Sequence, residues 1–313
     1  MKFRRLVMTS VAAAVLATVA TVAVALPADA AQPDRPEPLP ALTGQALAAR
    51  YHADARAIAI DARAARQAGN PQLAGALGEL GAHQVLFFDP RGPGLAGVVF
   101  GNLATASRVA ILVPGSDTTL STFFSRGTAS PGGGGAALAA QARQLQPGAR
   151  LAVIAWLGYQ APATVSTAVL TSGDAGAGAA ALRPLVIALA RHGDQVALLC
   201  HSYGSVVCGL AAANLPVTDI AVFGSPGMDA SSAASLDTKA RVWAGRGSGD
   251  WIGFVPHVRL FGLGFGADPV SPEFGARIFA AGSGGHSDYL VPGSVPLRNL
   301  AEIALGDPAA VTP

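Results

Sequence analysis

The sequence predicts an α/β fold, built on a mostly parallel sheet that helices cover on both faces. After residue 83 the chain repeats short, continuously apolar runs, which are typical of strands buried on both faces. Stretches of helical length separate most of these runs, and this alternation favours parallel pairing. The composition agrees, because 51% hydrophobic and only 13% charged residues exclude an intrinsically disordered chain.

The first thirty residues predict a secretory signal peptide. Three basic residues precede an apolar run over 6–26, and Ala-Asp-Ala at 28–30 has the small residues of a cleavage site. The alternative is an uncleaved membrane anchor, since the run is long enough to span a bilayer. We expect residues 1–30 to be removed, the protein to be secreted, and no stable membrane insertion to remain.

The next two segments precede the sheet. Residues 31–41 are rich in proline and predict a flexible, extended leader. Residues 42–82 predict an N-terminal helical segment, with helices over 42–69 and 71–81. The remaining residues, 83–313, are expected to form a single α/β domain.

The strands and helices of this domain follow in order. The predicted strands are Gln84–Phe88, Leu95–Phe100, Arg108–Val113, Leu151–Trp156, Gln195–Cys200, Ile220–Phe223, Arg241–Ala244 and Ala276–Phe279. The first two flank a Pro- and Gly-containing turn and predict a hairpin. The predicted helices are 136–145, 175–192, 203–215 and 295–305, and the run Gly132–Gly135 is interpreted as a flexible loop.

The charge of the chain limits its partners. Its 21 basic and 19 acidic residues include three basic and one acidic residue within 1–30, so the rest of the chain is formally neutral. A neutral chain without blocks of like charge is not expected to bind nucleic acid. No metal or cofactor motif is apparent in the sequence. We expect a monomer that acts on a small-molecule or lipid substrate.

A candidate nucleophile lies where a predicted strand meets a predicted helix. The strand that begins at Gln195 runs into Cys-His-Ser-Tyr-Gly at 200–204, and a helical stretch follows at once. A serine between small residues at such a junction is typical of a nucleophile elbow, in which the turn projects Oγ above the sheet. The pattern therefore predicts Ser202 as a nucleophile.

A serine hydroxyl needs a histidine base, and the base needs a carboxylate to orient it. His286 lies in a Gly-rich loop after the last predicted strand, and Asp250 follows the strand Arg241–Ala244. Ligands of open α/β sheets bind at the carboxyl ends of the strands, where both residues fall. The reserve base is His257, and weaker alternatives for the acid are Asp229, Asp268 and Asp288.

Acyl transfer also creates an oxyanion, which backbone N–H donors stabilise. One donor is expected from Tyr203, at the start of the helix that follows the serine. The other is expected from Ser116, on the loop after Arg108–Val113, where Gly115 permits the turn. Gly115 and Asp117 are both expected to contact the substrate.

Two further sets of residues have open alternatives. Tyr159 either lines the substrate site or packs inside the domain. The chain has two cysteines: Cys200 ends the strand that leads into the elbow, and Cys208 shares a helix face with Gly204, so the two are expected to meet. They form either a disulfide that clamps the elbow or a pair of buried free thiols.

Four motifs of the chain carry a resemblance to a known family: Val-Pro-Gly-Ser-Asp-Thr-Thr at 113–119, Trp-Leu-Gly-Tyr-Gln-Ala-Pro at 156–162, His-Ser-Tyr-Gly-Ser at 201–205 and Gly-His-Ser-Asp-Tyr-Leu at 285–290. In these motifs the chain resembles the exported α/β-hydrolases of unknown function that are common in actinobacteria. The resemblance covers residue 84 to the closing helix and implies an α/β-hydrolase fold with Ser202 as nucleophile and His286 as base. It implies no substrate, and Cys200 departs from the usual glycine at that position.

The expected function is that of a secreted serine hydrolase that cleaves carboxylic esters through an acyl-enzyme. The low charge and the apolar stretch 251–265 indicate an apolar acyl group. The same machinery serves an amidase, a peptidase or an acyltransferase, which is the first alternative. The second is an inactive hydrolase scaffold that binds a component of the cell envelope.

Overall fold

The computed structural model describes residues 39–258 and 263–313. The predicted signal peptide at 1–30 and all but the end of the predicted leader at 31–41 lie outside the described residues. The described strands are β1 (Gln84–Asp89), β2 (Leu95–Phe100), β3 (Arg108–Val113), β4 (Leu151–Leu157), β5 (Gln195–His201), β6 (Asp219–Phe223), β7 (Arg241–Gly245) and β8 (Arg277–Ile278). The described α-helices are α1 (Gly44–Gln67), α2 (Pro71–Leu80), α3 (Pro131–Leu145), α4 (Gly173–His192), α5 (Gly204–Ala211) and α6 (Val295–Leu305).

All eight strands form one sheet in the order β1-β2-β4-β3-β5-β6-β7-β8. β2 runs antiparallel to both of its neighbours, which confirms the predicted hairpin. The other pairs are parallel, as predicted. The carboxyl ends of β3, β5, β6 and β7 therefore meet at one edge, with β5 at the centre.

Helices cover both faces of this sheet, which confirms the predicted layers. α3 and α6 lie on one face, with Leu138 and Leu300 in its core. α4 and α5 lie on the other face, with Val186 in its core. Consecutive residues of β5 alternate between these two faces: Leu198 belongs to the core beside α4 and α5, and Leu199 belongs to the core beside α3 and α6.

The N-terminal helices pack at the β1–β2 end of the sheet. Thr43 and Asn70 cap α1 and α2, because each side chain accepts a hydrogen bond from the backbone N–H three residues later. Ile58 and Leu77 then bury one face of each helix in a core that includes Val85. This packing leaves the carboxyl ends of the central strands uncovered by α1 and α2.

The predicted loop at Gly132–Gly135 was wrong, because these glycines form the first turns of α3. Close packing explains them: a Cβ at residue 133 would lie 2.0 Å from the carbonyl oxygen of Gly127. A Cβ at 132 or 135 would overlap the ring of Phe124 or Phe100. The glycines let the helix approach its neighbours. α5 is also shorter than the predicted span of 203–215.

One helix in the described part of the chain, α4, is long and apolar enough to cross a membrane by length and composition alone. Its buried residues, which include Leu182 and Val186, lie on one face and pack into the core of the sheet. Arg183 donates hydrogen bonds to the carbonyl oxygens of Ala211 and Ala213, at and just beyond the end of α5. In this fold α4 is therefore a packed core helix.

Candidate active site

Ser202 lies on a sharp turn between β5 and α5. Its backbone is left-handed, with φ of +53°, a conformation that is uncommon for a residue other than glycine. Close packing around the turn leaves no room for larger neighbours, since a Cβ on Gly204 would lie 2.6 Å from the carbonyl oxygens of Val113 and Pro114. The predicted elbow is thus held against the end of β3.

Three predicted site residues come together above the sheet. Ser202 Oγ donates to His286 Nε2 at 2.9 Å. On the other side of the ring, Nδ1 donates to Asp250 Oδ1 at 2.9 Å and lies 3.1 Å from Oδ2. Because a carboxylate only accepts, this contact holds the proton on Nδ1 and leaves Nε2 free to accept a proton from the serine.

Asp250 is held as a buried carboxylate by three donors. His286 Nδ1, the backbone N–H of Ile252 at 2.9 Å and the hydroxyl of Tyr289 at 2.5 Å all donate to it. Burial alone would raise the pKa of Asp250, but these hydrogen bonds outweigh it and hold the pKa below its usual range. The carboxylate therefore stays ionised opposite the imidazole.

The sequence did not indicate the role of Tyr289. Its ring is buried, its hydroxyl accepts from the N–H of Gly247 at 3.1 Å, and the same hydroxyl donates to Asp250. Burial and the bond to Asp250 raise the pKa of Tyr289, so it remains a protonated donor. The one signal in the sequence was its position three residues after His286, on the same loop.

His201 lies beside the base and contacts its loop. Its Nε2 donates to the carbonyl oxygen of His286 at 2.8 Å, and the two rings lie 4.8 Å apart. Burial, followed by the charge of the neighbouring His286, lowers the pKa of His201 to about 3. It is therefore a neutral donor that holds the loop of the base.

Gly224, after β6, was also missed by sequence reasoning. It has φ of +56°, and a Cβ there would lie 3.0 Å from Asp250 Oδ2 and 3.2 Å from His286 Nδ1. The acid and the base thus share a space that only glycine leaves open. The only signal in the sequence was a glycine that directly follows a buried strand.

The loop after β3 lies directly against the nucleophile. A Cβ on Gly115 would lie 2.6 Å from Ser202 Cβ and 3.1 Å from its Oγ. Ser116 and Tyr203, the predicted oxyanion donors, both line the cavity that contains Ser202. Tyr203 directly follows Ser202 and precedes the first residue of α5, so its N–H lies at the helix end that favours negative charge.

Asp117 and Tyr159 brace this loop. Asp117 lines the cavity, but its carboxylate accepts from the backbone N–H of Thr164 at 3.0 Å and from its hydroxyl at 2.6 Å. The predicted substrate contact of Tyr159 needs correction: its ring is buried behind the cavity wall, and its hydroxyl donates to the carbonyl oxygen of Pro114 at 2.7 Å. The alternative of packing was the right one.

The reserve residues are occupied elsewhere. His257 Nε2 lies 3.4 Å from the carbonyl oxygen of Ser225 and 3.7 Å from Asp268. Asp268 pairs with Arg246 at 2.7 Å, and Asp288 accepts from a backbone N–H within its own loop. Asp229 occupies a left-handed turn, with φ of +57°.

Cys200 and Cys208 form a disulfide, which decides between the two alternatives. The bridge joins the end of β5 to α5, and both residues are fully buried. The elbow is therefore covalently closed by two residues that do not line the cavity. Among the described residues no group of three or more His, Cys, Asp or Glu side chains is arranged to hold a metal ion.

A cavity of about 520 Å³ opens above Ser202. Its apolar lining includes Val169, Leu170 and Phe265. Polar groups also line it, among them the hydroxyls of Thr118, Thr122, Thr128 and Ser130 and the guanidinium of Arg126. Three of these hydroxyls donate to carbonyl oxygens of their own loop. The cavity therefore offers a mainly apolar surface with a few polar groups.

Comparison with known proteins identifies relatives by sequence. A sequence profile of the alpha/beta hydrolase family matches residues 89–260, which is more than half of the chain. An uncharacterized protein of Mycobacterium tuberculosis, present in two strains, is 32% identical over an alignment that covers 70% of this chain. The chain spans 38% of the length of these curated relatives.

Solved structures with a similar fold are more distant in sequence. An α/β serine hydrolase without a lid from Xanthomonas campestris is 17% identical, with a TM-score of 0.44, over 73% of this chain and 96% of that one. Esterase 2 of Thermogutta terrifontis is 14% identical, with a TM-score of 0.42, over 70% of this chain and 91% of that one.

Proposed function

The chain belongs to the alpha/beta hydrolase family, and we propose that it is a serine hydrolase that cleaves carboxylic esters through an acyl-enzyme on Ser202. One observation carries the proposal. A continuous series of hydrogen bonds runs from Ser202 Oγ through His286 to Asp250. This series ends at the ionised carboxylate of Asp250 inside the protein and at the cavity beside Ser202. Such an arrangement activates a serine.

The first half of the reaction acylates the serine. Ser202 Oγ attacks the ester carbonyl carbon, and its proton moves to His286 Nε2, while Asp250 stabilises the imidazolium that forms. The carbonyl oxygen becomes an oxyanion, toward which the N–H groups of Tyr203 and Ser116 donate. The tetrahedral intermediate then collapses, and the alcohol leaves with the proton from His286.

The second half regenerates the enzyme. A water molecule attacks the acyl carbon and gives its proton to His286 Nε2. The second tetrahedral intermediate expels Ser202 Oγ, which takes the proton back, and the carboxylic acid is released. His201 and Tyr289 stay outside the proton transfers and hold the base and the acid in place.

Export is part of the proposed function. The order of basic, apolar and small residues over 1–30 supports a cleaved signal peptide. The Cys200–Cys208 disulfide supports it independently, because disulfides persist mainly in oxidising compartments. Expression in an actinobacterial host should place the protein in the culture medium, with an N-terminus that follows residue 30 by mass spectrometry.

The decisive test is labelling with a fluorophosphonate probe, combined with turnover of short p-nitrophenyl esters. The parent protein should be labelled and should hydrolyse the esters, and Ser202→Ala should lose both. Ser205→Ala is a matched control, because this buried serine lies three residues away and donates to the carbonyl oxygen of Cys200. Undiminished turnover by folded Ser202→Ala protein would exclude the assignment.

A substrate panel separates the related chemistries. Faster cleavage of amides than of matched esters would make the same machinery an amidase, and product formed with an added alcohol would make it an acyltransferase. A parent protein that neither reacts with the probe nor turns over any substrate would be an inactive scaffold.

A further inference from the structure

Exposed apolar side chains concentrate at the mouth of the cavity. Among the described residues ten large hydrophobic side chains are exposed, and six of them belong to two segments, 164–170 and 251–263. We call these six the apolar rim: Val165, Leu170, Trp251, Phe254, Val258 and Leu263. Phe254 is 84% exposed and Val165 99% exposed, so neither serves the packing of the fold.

The apolar rim is continuous with the inside of the cavity. Leu170 and Trp251 are at once exposed and part of the cavity lining. The two segments are joined by a hydrogen bond from the N–H of Gly264 to the carbonyl oxygen of Leu170 at 3.0 Å. Val255 and Phe265 then extend the apolar surface inward. The apolar surface therefore continues from the exposed rim into the cavity that contains Ser202.

The two segments of the apolar rim are also sparsely charged. Residues 160–173 contain no Lys, Arg, Asp or Glu, and Arg259 is the one such residue in 251–263. The imidazole of His257 faces Ser225 and Asp268 within the protein. Protein interfaces normally have a polar rim with hydrogen bonds, whereas a lipid surface offers apolar contact without such partners.

A tryptophan lies at the boundary between the apolar rim and the site. The Trp251 ring is 49% exposed and its centroid lies 4.7 Å from that of His286. Tryptophan favours the interfacial zone of a membrane, where one part of the ring is apolar and the other contacts water. A lipid surface in contact with Trp251 would therefore lie directly beside the base.

We propose that the apolar rim docks on the surface of a lipid aggregate, from which an ester with a long apolar chain enters the cavity. The proposal rests on the proposed esterase function for the identity of the substrate, but the docking step itself needs no catalysis. Docking would bring the ester bond to Ser202 while the chain remains on the apolar wall of Val169, Leu170 and Phe265.

The test uses the full chain with Ser202→Ala, so that lipids are not consumed, and vesicles of brominated phosphatidylcholine. The chain contains three tryptophans, and Trp156 and Trp243 are buried. Quenching of fluorescence by the bromine atoms therefore reports on Trp251. The apolar run at 6–26 contains no tryptophan, and every variant compared carries it, so any binding through this run is common to all of them and the comparison between variants isolates the apolar rim. We expect quenching with a blue shift of the emission.

Removal of two members of the apolar rim should weaken docking. Val165→Ser with Phe254→Ser changes exposed side chains that do not line the cavity. We expect at least tenfold more lipid for half-maximal quenching, while kcat/KM of the Ser202-containing double variant on a soluble short ester stays within twofold of the parent. Ile60→Ser is the matched control, because Ile60 is 58% exposed on α1 and should leave both values unchanged.

The outcomes separate the two proposals. Docking is refuted if the vesicles do not quench Trp251, or if the double variant is quenched as readily as the control. Docking is also refuted if the parent self-associates and the double variant does not, since the apolar rim would then bind a second copy. Vesicle binding without any ester turnover by the parent would sustain docking and refute the esterase function.

Discussion

Gly115→Ala should lower the turnover of a soluble ester about 100-fold or more while the protein stays folded. The new Cβ would lie 2.6 Å from Ser202 Cβ, 3.1 Å from its Oγ and 3.2 Å from the carbonyl oxygen of His201. Carbon atoms in ordinary contact lie about 3.5–4.0 Å apart. One side of this contact must therefore move by about 1 Å.

The loop after β3 is the side expected to move. Ser202 is fixed by its backbone bond to the carbonyl oxygen of Phe223 at 3.0 Å and by its side-chain bond to His286. A retreating loop takes the N–H of Ser116 away from the oxyanion. Loss of one such donor lowers kcat by about 10²–10³, or roughly 2.7–4 kcal/mol of barrier.

The assay is steady-state turnover of p-nitrophenyl acetate, with thermal unfolding recorded on the same samples. The loss should fall on kcat rather than on KM, because the donor acts on charge that develops in the transition state. Gly148→Ala is the matched control: it lies on the turn before β4, no atom lies within 4 Å of the methyl group that the substitution adds, and its φ is ordinary.

Ser116→Ala provides an independent check that does not depend on the stability of the glycine variant. Only the backbone N–H of residue 116 is assigned a role, so removal of the hydroxyl should change kcat less than threefold. A folded Gly115→Ala protein with kcat within threefold of the parent would refute the role of this loop. A large loss in Ser116→Ala would transfer that role to the side chain.

Three further predictions concern the surroundings of the site. Tyr289→Phe removes one of the donors that lower the pKa of Asp250, so kcat/KM should fall about tenfold, and its loss on acidification should begin at higher pH. His201→Gln keeps a donor for the loop of the base but does not titrate. The pKa of His201 is about 3 in the folded protein and its ordinary value is 6.5. As the pH falls, His201 therefore binds a proton in the unfolded chain before it does so in the folded protein. The parent should lose thermal stability faster than the variant between pH 6.5 and pH 4. Replacement of both Cys200 and Cys208 by Ala should lower the free energy of unfolding by about 2–3 kcal/mol in a denaturant titration, since the bridge closes a short loop.

Each of these predictions has a control or a contrary result. Tyr51→Phe, on α1, is the control for Tyr289→Phe. If the pH profile of kcat/KM were the same for Tyr289→Phe and for the parent, the effect on Asp250 would be contradicted. Parallel stability curves for His201→Gln and the parent would contradict a buried neutral histidine. The fully buried disulfide should resist dithiothreitol in the folded protein, and rapid reduction would contradict its position.

Local features of the sequence predicted the elbow and the order of the site residues. The turn at Ser202 depends on residues that adjoin it in the chain, and the carboxyl ends of parallel strands meet at one edge whatever the loops do. His286 and Asp250 were therefore predictable from the strands that they follow. The alternatives at Asp268 and His257 failed because Asp268 pairs with Arg246 and because His257 and Asp268 contact each other.

Contacts between loops explain what the sequence did not predict. Tyr289 and His201 act through hydroxyl and imidazole groups whose partners lie 39 and 85 residues away. The orientation of Tyr159 depends on the carbonyl oxygen of Pro114, on a different loop. The glycines at 132–135 were misread because a glycine required by close packing and one that permits flexibility look alike without the neighbouring atoms.

The distribution of hydrogen-bonding groups in the cavity favours an ester over a peptide. Thr118, Thr122 and Ser130 donate to carbonyl oxygens of their own loop, Val169, Leu170 and Phe265 add apolar surface, and Arg126 is the one Lys or Arg among the lining residues. A peptide would bring several N–H and C=O groups into this cavity, and each one buried without a partner costs about 1–3 kcal/mol. An ester carries one carbonyl group, which the two oxyanion donors satisfy, and an alkyl chain that needs no partners. Two unpaired peptide groups would lower kcat/KM by a factor of about 30 or more, at about 1.4 kcal/mol for each factor of ten. Matched p-nitrophenyl ester and peptide anilide substrates should therefore differ by more than their intrinsic reactivities, and equal ratios would show that the wall supplies donors to the substrate.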